Sequence, residues 1–374
     1  MRRSKRLLAK VHLWLGLTIG LLWAMQGLTG ATLVFHRELD RWAHPEWRGG
    51  DAPPLPLERL ISIARQQTGR TVTAIGILDR GRDLRTATYS DAVGTQRMLI
   101  LDAATGAPVG ERLPQPQRPE SGSSSRFVYM IHQKLASGET GETIIGLSGS
   151  LLLSSAMVGM WIAWPRRGNW RALISPRGWR TVPQKLYSWH RIAGLVFGIV
   201  FVLVATGGIY MTFSESIRHG LGSMIALDSP YKAPAKPASA GPEISAQAAL
   251  ERGETLFPQS EFVRLDLSAP DKPFFVVRLR QRGETRAWAG ATTVTIDART
   301  GNIVQVHDGL HGPFVDRVLD AQFSIHNGEA GGLLGRLLIM AAGLSLPTFY
   351  ISGVWLWFRK RRRIWLAGRR LAPA

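Results

Sequence analysis

The chain has 374 residues, of which 45% are hydrophobic and 20% are charged, a balance that favours a membrane protein over a soluble one. Its formal net charge is +19, but residues 1–10, 165–191 and 359–374 hold five, seven and seven basic residues and no acidic one, so the whole excess lies in three short segments. This distribution argues against a nucleic-acid partner. The absence of cysteine excludes disulfides, thiolate metal sites, iron–sulfur clusters and covalent haem attachment.

Four apolar runs are long enough to cross a lipid bilayer, which takes about 20 helical residues. They cover residues 11–35, 144–164, 192–213 and 337–358. The basic segments flank these runs on one side of an even number of spans, so both termini are expected in the cytoplasm. The first run could instead be a signal peptide, but it is too long for one and lacks a small-residue cleavage site before His36, so we expect a retained anchor.

The two long stretches between spans are predicted to be small α+β domains on the outer side. In the first, helical spacing covers 56–67, and strand-like runs cover 71–78, 84–90, 95–102 and 107–112. In the second, the helix is 244–256 and the strands are 260–268, 273–280, 291–297 and 302–306, after a Pro-, Ala- and Ser-rich linker at 228–242.

The two halves of the chain look like copies of one unit. His12-x-x-x-Gly16-x-x-x-Gly20 opens the first span and Leu-Thr29-Gly30 follows, while His190-x-x-x-Gly194-x-x-x-Gly198 opens the third and Ala-Thr206-Gly207 follows. Ile131-His132 precedes Gly159-Met-Trp161, and Ile325-His326 precedes Gly353-Val-Trp355, with 27 positions from His to Gly in both. Each outer loop also carries a hairpin, Asp102-Ala-Ala-Thr-Gly106 or Asp297-Ala-Arg-Thr-Gly301.

The predicted fold is therefore a membrane α+β protein with four transmembrane helices, in two tandem pseudo-twofold repeats, and two outer domains. The predicted boundaries are 1–35 for the N-terminus and first span, 36–131 for the first outer domain, 132–165 for the second span, 166–189 for an inner basic loop, 190–213 for the third span, 214–325 for the second outer domain, 326–358 for the fourth span and 359–374 for an inner basic tail.

These motifs support a family resemblance that covers nearly the whole chain. The Asp-x-x-Thr-Gly hairpins after a helix and antiparallel strands resemble PepSY domains, and the His-x-x-x-Gly-x-x-x-Gly and Leu-Thr-Gly signatures resemble PepSY-associated transmembrane proteins. That family includes iron-regulated inner-membrane proteins and di-haem ferric-siderophore reductases. The sequence Ile325-His326-Asn327-Gly328 departs conservatively from the Leu-His-x-Gly that the family tends to have.

Four histidines occupy equivalent places in the two halves: His12 with His190, and His132 with His326. Because each half runs in, out and in, the first pair is expected at the cytoplasmic ends of spans one and three, and the second at the outer ends of spans two and four. Ionisable residues at membrane depth are costly and tend to be functional. Two copies about a pseudo-twofold axis place imidazoles on opposite sides of one point, which predicts two non-covalent haem b groups with bis-histidine ligation.

Several alternatives stay open at this point. Gly16, Gly20, Gly194 and Gly198 leave bare stripes on which a porphyrin could lie, but such glycines also serve close helix packing. A histidine at a helix end can snorkel to lipid headgroups, and zinc would need three or four convergent ligands. His36, His307 or His311 could replace an outer ligand, and otherwise His307 and His311 are read as surface residues or substrate contacts.

The outer site poses a length problem. If the second span runs unbroken from His132 to Pro165, it is about 50 Å long. Either His132 folds back toward the membrane, or an intermediate such as His36 or Trp23 lies between the two sites.

The resemblance implies a bacterial inner-membrane reductase that passes electrons to a ferric siderophore in the periplasm. Reduction to Fe(II) weakens the hold of hard oxygen ligands. The sequence lacks a Gly-rich nucleotide fingerprint, so the donor is expected to be quinol or a cytoplasmic reductant. PepSY domains also occur as peptidase-inhibiting modules, which gives the alternative of a non-enzymatic regulator of extracytoplasmic proteolysis. Four spans without an intramembrane acidic residue disfavour a siderophore permease.

Overall fold

The computed structural model describes residues 2–116, 118, 124–165, 170–171, 181–225, 227 and 242–370. The predicted linker at 228–242 lies outside the described residues except for residue 242, and of the predicted inner loop at 166–189 residues 170–171 and 181–189 are described. The chain divides into two compact units. Unit 1 comprises Met1–Phe35, Ile131–Ser214 and Ile325–Ala374, and unit 2 comprises His36–Met130 and Glu215–Ser324.

The regular elements are as follows in chain order. The helices are α1 (Arg2–Thr18), α2 (Gly20–Leu33), α3 (His36–Ala43), α4 (Leu57–Thr68), α5 (Ser124–Lys134), α6 (Gly138–Ala163), α7 (Val182–Thr212), α8 (Ser214–Gly222), α9 (Ala246–Leu256), α10 (Phe314–His326) and α11 (Gly332–Arg370). The strands are β1 (Val72–Asp79), β2 (Leu84–Ser90), β3 (Gln96–Asp102), β4 (Pro108–Arg112), β5 (Glu261–Asp266), β6 (Phe274–Arg280), β7 (Thr292–Asp297) and β8 (Ile303–His307).

Unit 1 holds the helices that are long and apolar enough to cross a membrane. By length and composition, these are α6, α7 and the segment Glu329–Leu366, and α1 with α2 forms a fourth if the bent pair counts as one span. The predicted span at 11–35 is therefore not one straight helix, because α1 and α2 meet at 64° around Ile19. Thr18 bonds back to the Trp14 carbonyl at 2.8 Å and Gly20 follows the break, and both features favour a helix bend.

The helices of unit 1 pack through small residues. Helix α2 lies along α11, and their backbones approach so closely that a Cβ on Gly27 would collide with the carbonyl oxygen of Gly343. Helix α6 lies along α7, and the apolar interior of the unit gathers around Val200, Phe201 and Ala342. Since lipid is as apolar as these side chains, close packing of this kind is what holds membrane helices together.

The outer ends of the second and fourth predicted spans differ from expectation. His132 does not lie on the long helix: it lies on α5, after which Leu135, Ala136 and Gly138 take positive φ angles and the chain enters α6. His326 likewise ends α10, and Gly328 and Gly332 turn the chain before α11. Both histidines therefore precede the membrane helices, on short helices that end in left-handed turns.

Unit 2 contains one eight-stranded antiparallel sheet with the order β4-β3-β2-β1-β5-β6-β7-β8. Each outer loop supplies four consecutive strands, and the two sets join where β1 pairs with β5, with Ile75 opposite Leu265. The predicted strands and the predicted helices at 56–67 and 244–256 lie within about two residues of the observed ones, whereas α3, α5, α8 and α10 were not predicted. Two separate outer domains are not confirmed, because the strands of both loops share a sheet and a core.

The core of unit 2 lies on one face of this sheet, under α4 and α9. Leu60 and Ala64 of α4 and Ala249 of α9 are buried against Ile75, Leu265 and Val277 of the strands. The two hairpins turn as expected, with Gly106 at φ 74° and Gly301 at φ 70°. In each turn an aspartate, Asp102 or Asp297, accepts hydrogen bonds from backbone N–H groups.

Candidate functional site

The first histidine pair joins α1 to α7. The ring centroids of His12 and His190 are 6.4 Å apart and the planes are nearly perpendicular, at 84°. The Nδ1 of His12 lies 3.1 Å from the Ser155 carbonyl oxygen and 2.9 Å from its Oγ. Since a carbonyl can only accept, Nδ1 carries the proton. The Nδ1 of His190 is buried without a hydrogen-bond partner among the described residues, and the Phe349 ring lies 4.9 Å from the His190 ring.

The second pair joins the ends of α5 and α10. The ring centroids of His132 and His326 are 6.1 Å apart, with the planes at 63°. The Nδ1 of His132 lies 3.0 Å from Thr29 Oγ1, whose own hydrogen is directed to the Met25 carbonyl at 2.9 Å, so the imidazole donates to the hydroxyl. The Nδ1 of His326 donates to the Val204 carbonyl at 2.7 Å.

These hydrogen bonds fix the tautomers of three rings. A proton held on Nδ1 leaves the Nε2 lone pair free to bind a metal, the arrangement usual for metal-ligating histidines. Burial lowers the pKa of His326, and burial together with the neighbouring ring lowers the pKa of His132 to about 3. Both rings of this pair are therefore neutral at physiological pH, as a ligand requires.

The spacing of both pairs fits one iron between two imidazoles. With metal–nitrogen bonds of about 2 Å and about 1.1 Å from each nitrogen to its ring centre, opposed ligands have centroids roughly 6.3 Å apart. Beside the first pair there is open space: a Cβ on Gly16 or Gly194 would meet no heavy atom of the described chain within 4 Å. The donor set, the unpartnered Nδ1 of His190 and this space fit a bis-histidine haem.

A polynuclear or zinc-type site has no comparable support. Among the described residues, no group of three or more His, Cys, Asp or Glu side chains converges. Each pair offers two imidazole nitrogens, which a haem iron would accept as its protein ligands, whereas zinc takes three or four protein ligands.

The four predicted stripe glycines divide into two kinds. Gly16 and Gly194 face open space, whereas a Cβ on Gly20 would lie 2.7 Å from the Tyr350 ring and one on Gly198 would lie 2.5 Å from Met160. The second two glycines therefore serve helix packing, which was the alternative interpretation.

Three other glycines lie against the histidine rings. A Cβ on Gly30 would lie 3.0 Å from Cε1 of His132, one on Gly159 3.0 Å from Cε1 of His12, and one on Gly208 3.3 Å from Cε1 of His326. The sequence contained the signal of Gly30 in the first Thr-Gly motif and that of Gly159 27 positions after His132, whereas Gly208 lies one residue beyond the Thr206-Gly207 motif. Their role as ring contacts could not be read from one helix, because each glycine faces a histidine of another.

The separation of the two pairs is shorter than a straight second span would give. One continuous helix, α7, carries His190 and also the Val204 carbonyl that binds His326. Fourteen residues separate these positions, which is about 21 Å at 1.5 Å per residue. An unbroken helix from His132 to Pro165 would be about 50 Å long, and this length does not apply because α5 and α10 fold back before the membrane helices begin.

The remaining candidate histidines lie in unit 2. His36 begins α3, and His311 is exposed, with its Nδ1 3.3 Å from an Asp308 oxygen. His307 was expected at the surface, and this was wrong: it ends β8 with only 1% of its surface exposed, and its Nε2 lies 2.7 Å from Asp320. Trp23, the other suggested intermediate, is buried in unit 1 and donates to the Ser148 carbonyl at 3.2 Å.

One known protein family matches both the membrane helices and the sheet of this chain. The model of the PepSY-associated TM region matches residues 9–360, which is nearly the whole chain. The chain belongs to this family. A comparison with curated proteins found no match. The matched residues include both members of each histidine pair as well as the eight-stranded sheet.

Proposed function

We propose that this PepSY-associated membrane protein is a di-haem b-type reductase of the bacterial inner membrane. In this proposal it passes electrons from quinol or a cytoplasmic reductant to a ferric siderophore in the periplasm, and both termini face the cytoplasm. The single observation that supports it most is the presence of two imidazole pairs whose ring centroids are 6.4 and 6.1 Å apart, a spacing that would accommodate one iron between the rings of each pair.

The chain's own residues would hold two haem groups by side-chain ligation alone. His12 and His190 would be the ligands near the cytoplasmic face, and His132 and His326 those near the periplasmic face. Bound haem would supply a one-electron couple at each position. Ser155, Thr29 and the Val204 carbonyl accept the Nδ1 protons of His12, His132 and His326. These bonds orient the three rings and leave their Nε2 atoms available as ligands.

The chemistry of the acceptor follows from ligand hardness. A ferric siderophore that gains one electron becomes a ferrous complex, and Fe(II) is held less tightly by hard oxygen donors than Fe(III). Release of Fe(II) therefore does not require hydrolysis of a covalent bond within the siderophore. No separate catalytic residue is required of the chain beyond the groups that bind and position the redox centres.

The first experiment is an absorbance spectrum of the full-length protein, purified in a non-ionic detergent after expression with haem precursor supplied. We expect a Soret band, reduced α and β bands of a six-coordinate b-type centre, and about two haems per chain by extraction. Protein that inserts normally but contains no extractable haem would overturn the proposal and leave the non-enzymatic regulator of extracytoplasmic proteolysis as the better explanation.

The second experiment tests the acceptor. Protein reduced with dithionite, freed of excess reductant and mixed with a ferric hydroxamate should return to its oxidised spectrum, with one Fe(II) trapped by ferrozine for each electron lost. A trace that stays reduced with hydroxamate, catecholate and carboxylate chelates alike would exclude ferric siderophores and point to another electron acceptor.

A further inference from the structure

Unit 2 contains a cleft whose lining is dominated by arginine. Its volume is about 300 Å³, at the lower end of the range for small-molecule sites. Eight arginines and two carboxylates, Asp40 and Asp79, line it, and two of the arginines, Arg80 and Arg264, also pair with Glu261 at 3.0 Å and Asp266 at 2.7 Å beyond the lining. Such an excess of one charge is unusual inside a concave surface, because like charges in a low-dielectric cleft repel one another.

The cleft lies at the junction of the two half-sheets. Gly76 of β1 and Arg264 of β5 are paired across the junction and both line the cleft, whereas the adjacent pair, Ile75 and Leu265, points into the core under α4 and α9. Because successive side chains alternate between faces, the cleft occupies the sheet face opposite those helices. Gly76 has no side chain to fill its floor. The cleft therefore exists only because both outer loops contribute to one sheet.

Some of these arginines have structural partners. Arg41 forms a two-point ion pair with Asp79, at 2.5 and 2.6 Å. Arg82 donates to the main-chain carbonyls of Arg41, His44 and Trp47. These contacts satisfy the hydrogen-bonding groups of Arg82 but leave its charge without a carboxylate, and among the described residues Arg126 forms no ion pair.

Arg112 is the buried arginine that the excess of positive charge in the cleft affects directly. It is 6% exposed, its Nη1 lies 3.1 Å from Asp40, and its Nε is buried without a hydrogen-bond partner in the described chain. Burial first, and then the charge of the neighbouring Arg126, lower the pKa of Arg112 to about 10. An added anion would stabilise such a guanidinium, because it would accept the unused N–H donor and offset the repulsion from the second cation.

We propose that this arginine cleft binds a small anion carrying at least two carboxylate or phosphate groups. Guanidinium groups match the geometry of both oxyanions through paired N–H donors, which a halide cannot accept in this way. Arg37, stacked at 4.2 Å over the Trp288 ring, adds a cation whose orientation is fixed before any ligand arrives. The site is independent of the proposed electron transfer, because none of its residues belongs to a histidine pair.

The test is isothermal titration of full-length protein in a non-ionic detergent at low salt, with citrate, acetate and inorganic phosphate as probes. Citrate should bind at least about tenfold more tightly than acetate, and its affinity should fall steeply with added salt. Arg126→Gln should weaken citrate binding about tenfold or more, as expected for a lost charge-assisted hydrogen bond. Arg59→Gln, which removes the same charge from the exposed surface of α4, should stay within about twofold.

Two further arms identify the source of the anion. Tighter binding of pyrophosphate than of citrate would support the site and assign it to phosphate-bearing ligands, whereas tighter binding of inorganic phosphate than of citrate would overturn the requirement for two anionic groups. Saturable binding of a water-soluble short-chain phosphatidylglycerol, in the absence of binding to any of the soluble anions, would overturn the small-anion proposal and indicate a lipid headgroup instead. Equal affinities of Arg126→Gln and Arg59→Gln, or no saturable binding by the wild type, would also overturn it.

Discussion

The ring centroids of His132 and His326 are 6.1 Å apart, although each histidine lies near the end of a separate short helix in a different part of the chain. His326→Ala should therefore remove the haem of that pair and leave the other, so that extracted haem falls to about half. His190→Ala should do the same for the other pair, and the double variant should contain almost none.

The matched control for these variants is His219→Ala, since His219 is exposed on α8 and has no part in either pair. Haem content and membrane insertion should match wild type there. Unchanged haem in either single variant, measured by pyridine haemochrome assay, would show that the residue is not a ligand.

Thr29→Val tests the hydrogen bond that orients His132. The substitution keeps the shape of the side chain but removes the acceptor 3.0 Å from Nδ1. Partners of this kind typically contribute 10–100-fold to metal affinity, so we expect haem affinity at this pair to fall about tenfold. Thr32→Val is the control, because the Thr32 hydroxyl bonds only to Leu28 in its own helix at 3.0 Å. Haemin titration of the apoprotein measures both, and equal losses would refute an orienting role for Thr29.

Gly194→Leu separates a cofactor space from a packing surface. A Cβ there meets no described heavy atom within 4 Å, so the protein should insert and elute normally while haem content drops by about half. Gly220→Leu adds the same bulk at an exposed position on α8, outside both pairs and also into open space, and should retain both haems. If Gly194→Leu aggregates while Gly220→Leu does not, the space beside Gly194 is used for packing and not for a cofactor.

His307 should make the stability of unit 2 depend on pH. Burial alone lowers its pKa, but the hydrogen bond and charge of Asp320, together with Asp316, raise it above the ordinary value of 6.5. A group whose pKa is raised by folding stabilises the protein fully below the unfolded pKa, and this contribution is lost as the pH rises through the folded pKa. The strand β8 should therefore open more readily at pH 8.5 than at pH 6.

Amide hydrogen exchange in β8, corrected for intrinsic rates, measures this difference, and carboxylates do not contribute because they are ionised across that range. His307→Gln should abolish the pH dependence and lower the stability by about 1–3 kcal/mol through the lost buried hydrogen bond. His311→Gln, at an exposed position, should change neither. A pH dependence that persists in His307→Gln would mean that another group titrates.

The sequence predicted local structure well and chain reversals poorly. Strand alternation and helical spacing are local patterns, and they gave the eight strands and the helices α4 and α9 nearly at their observed ends. Apolar runs located the membrane helices but not their ends, since 192–213 corresponds to Val182–Thr212 and 337–358 to Gly332–Arg370. The reversals after His132 and His326 depend on left-handed residues that include Leu135 and Ala136, which carry no turn signal of their own. Gly138 and Gly328 also take positive φ angles, but a glycine does not by itself show which way the chain turns.

The pairing of the histidines could be inferred from the repeat, whereas the arginine cleft could not. Equivalent positions in two copies suggest a contact across a symmetry axis, even without knowledge of the packing. The cleft depends on the pairing of β1 with β5, which are separated by most of both loops, and no local pattern indicates which strand edges will meet. Single arginines scattered over the strands read as solvated surface residues until that pairing brings them together.

Helix α7 fixes the spacing between the two candidate sites. It carries a ligand candidate of one pair and the carbonyl that binds a ligand candidate of the other, without a break between them, so helical rise sets the distance between these two positions. If both pairs hold haem as proposed, tunnelling between the centres would depend steeply on that distance, and a continuous helix would keep the rate of transfer constant unless α7 itself bent.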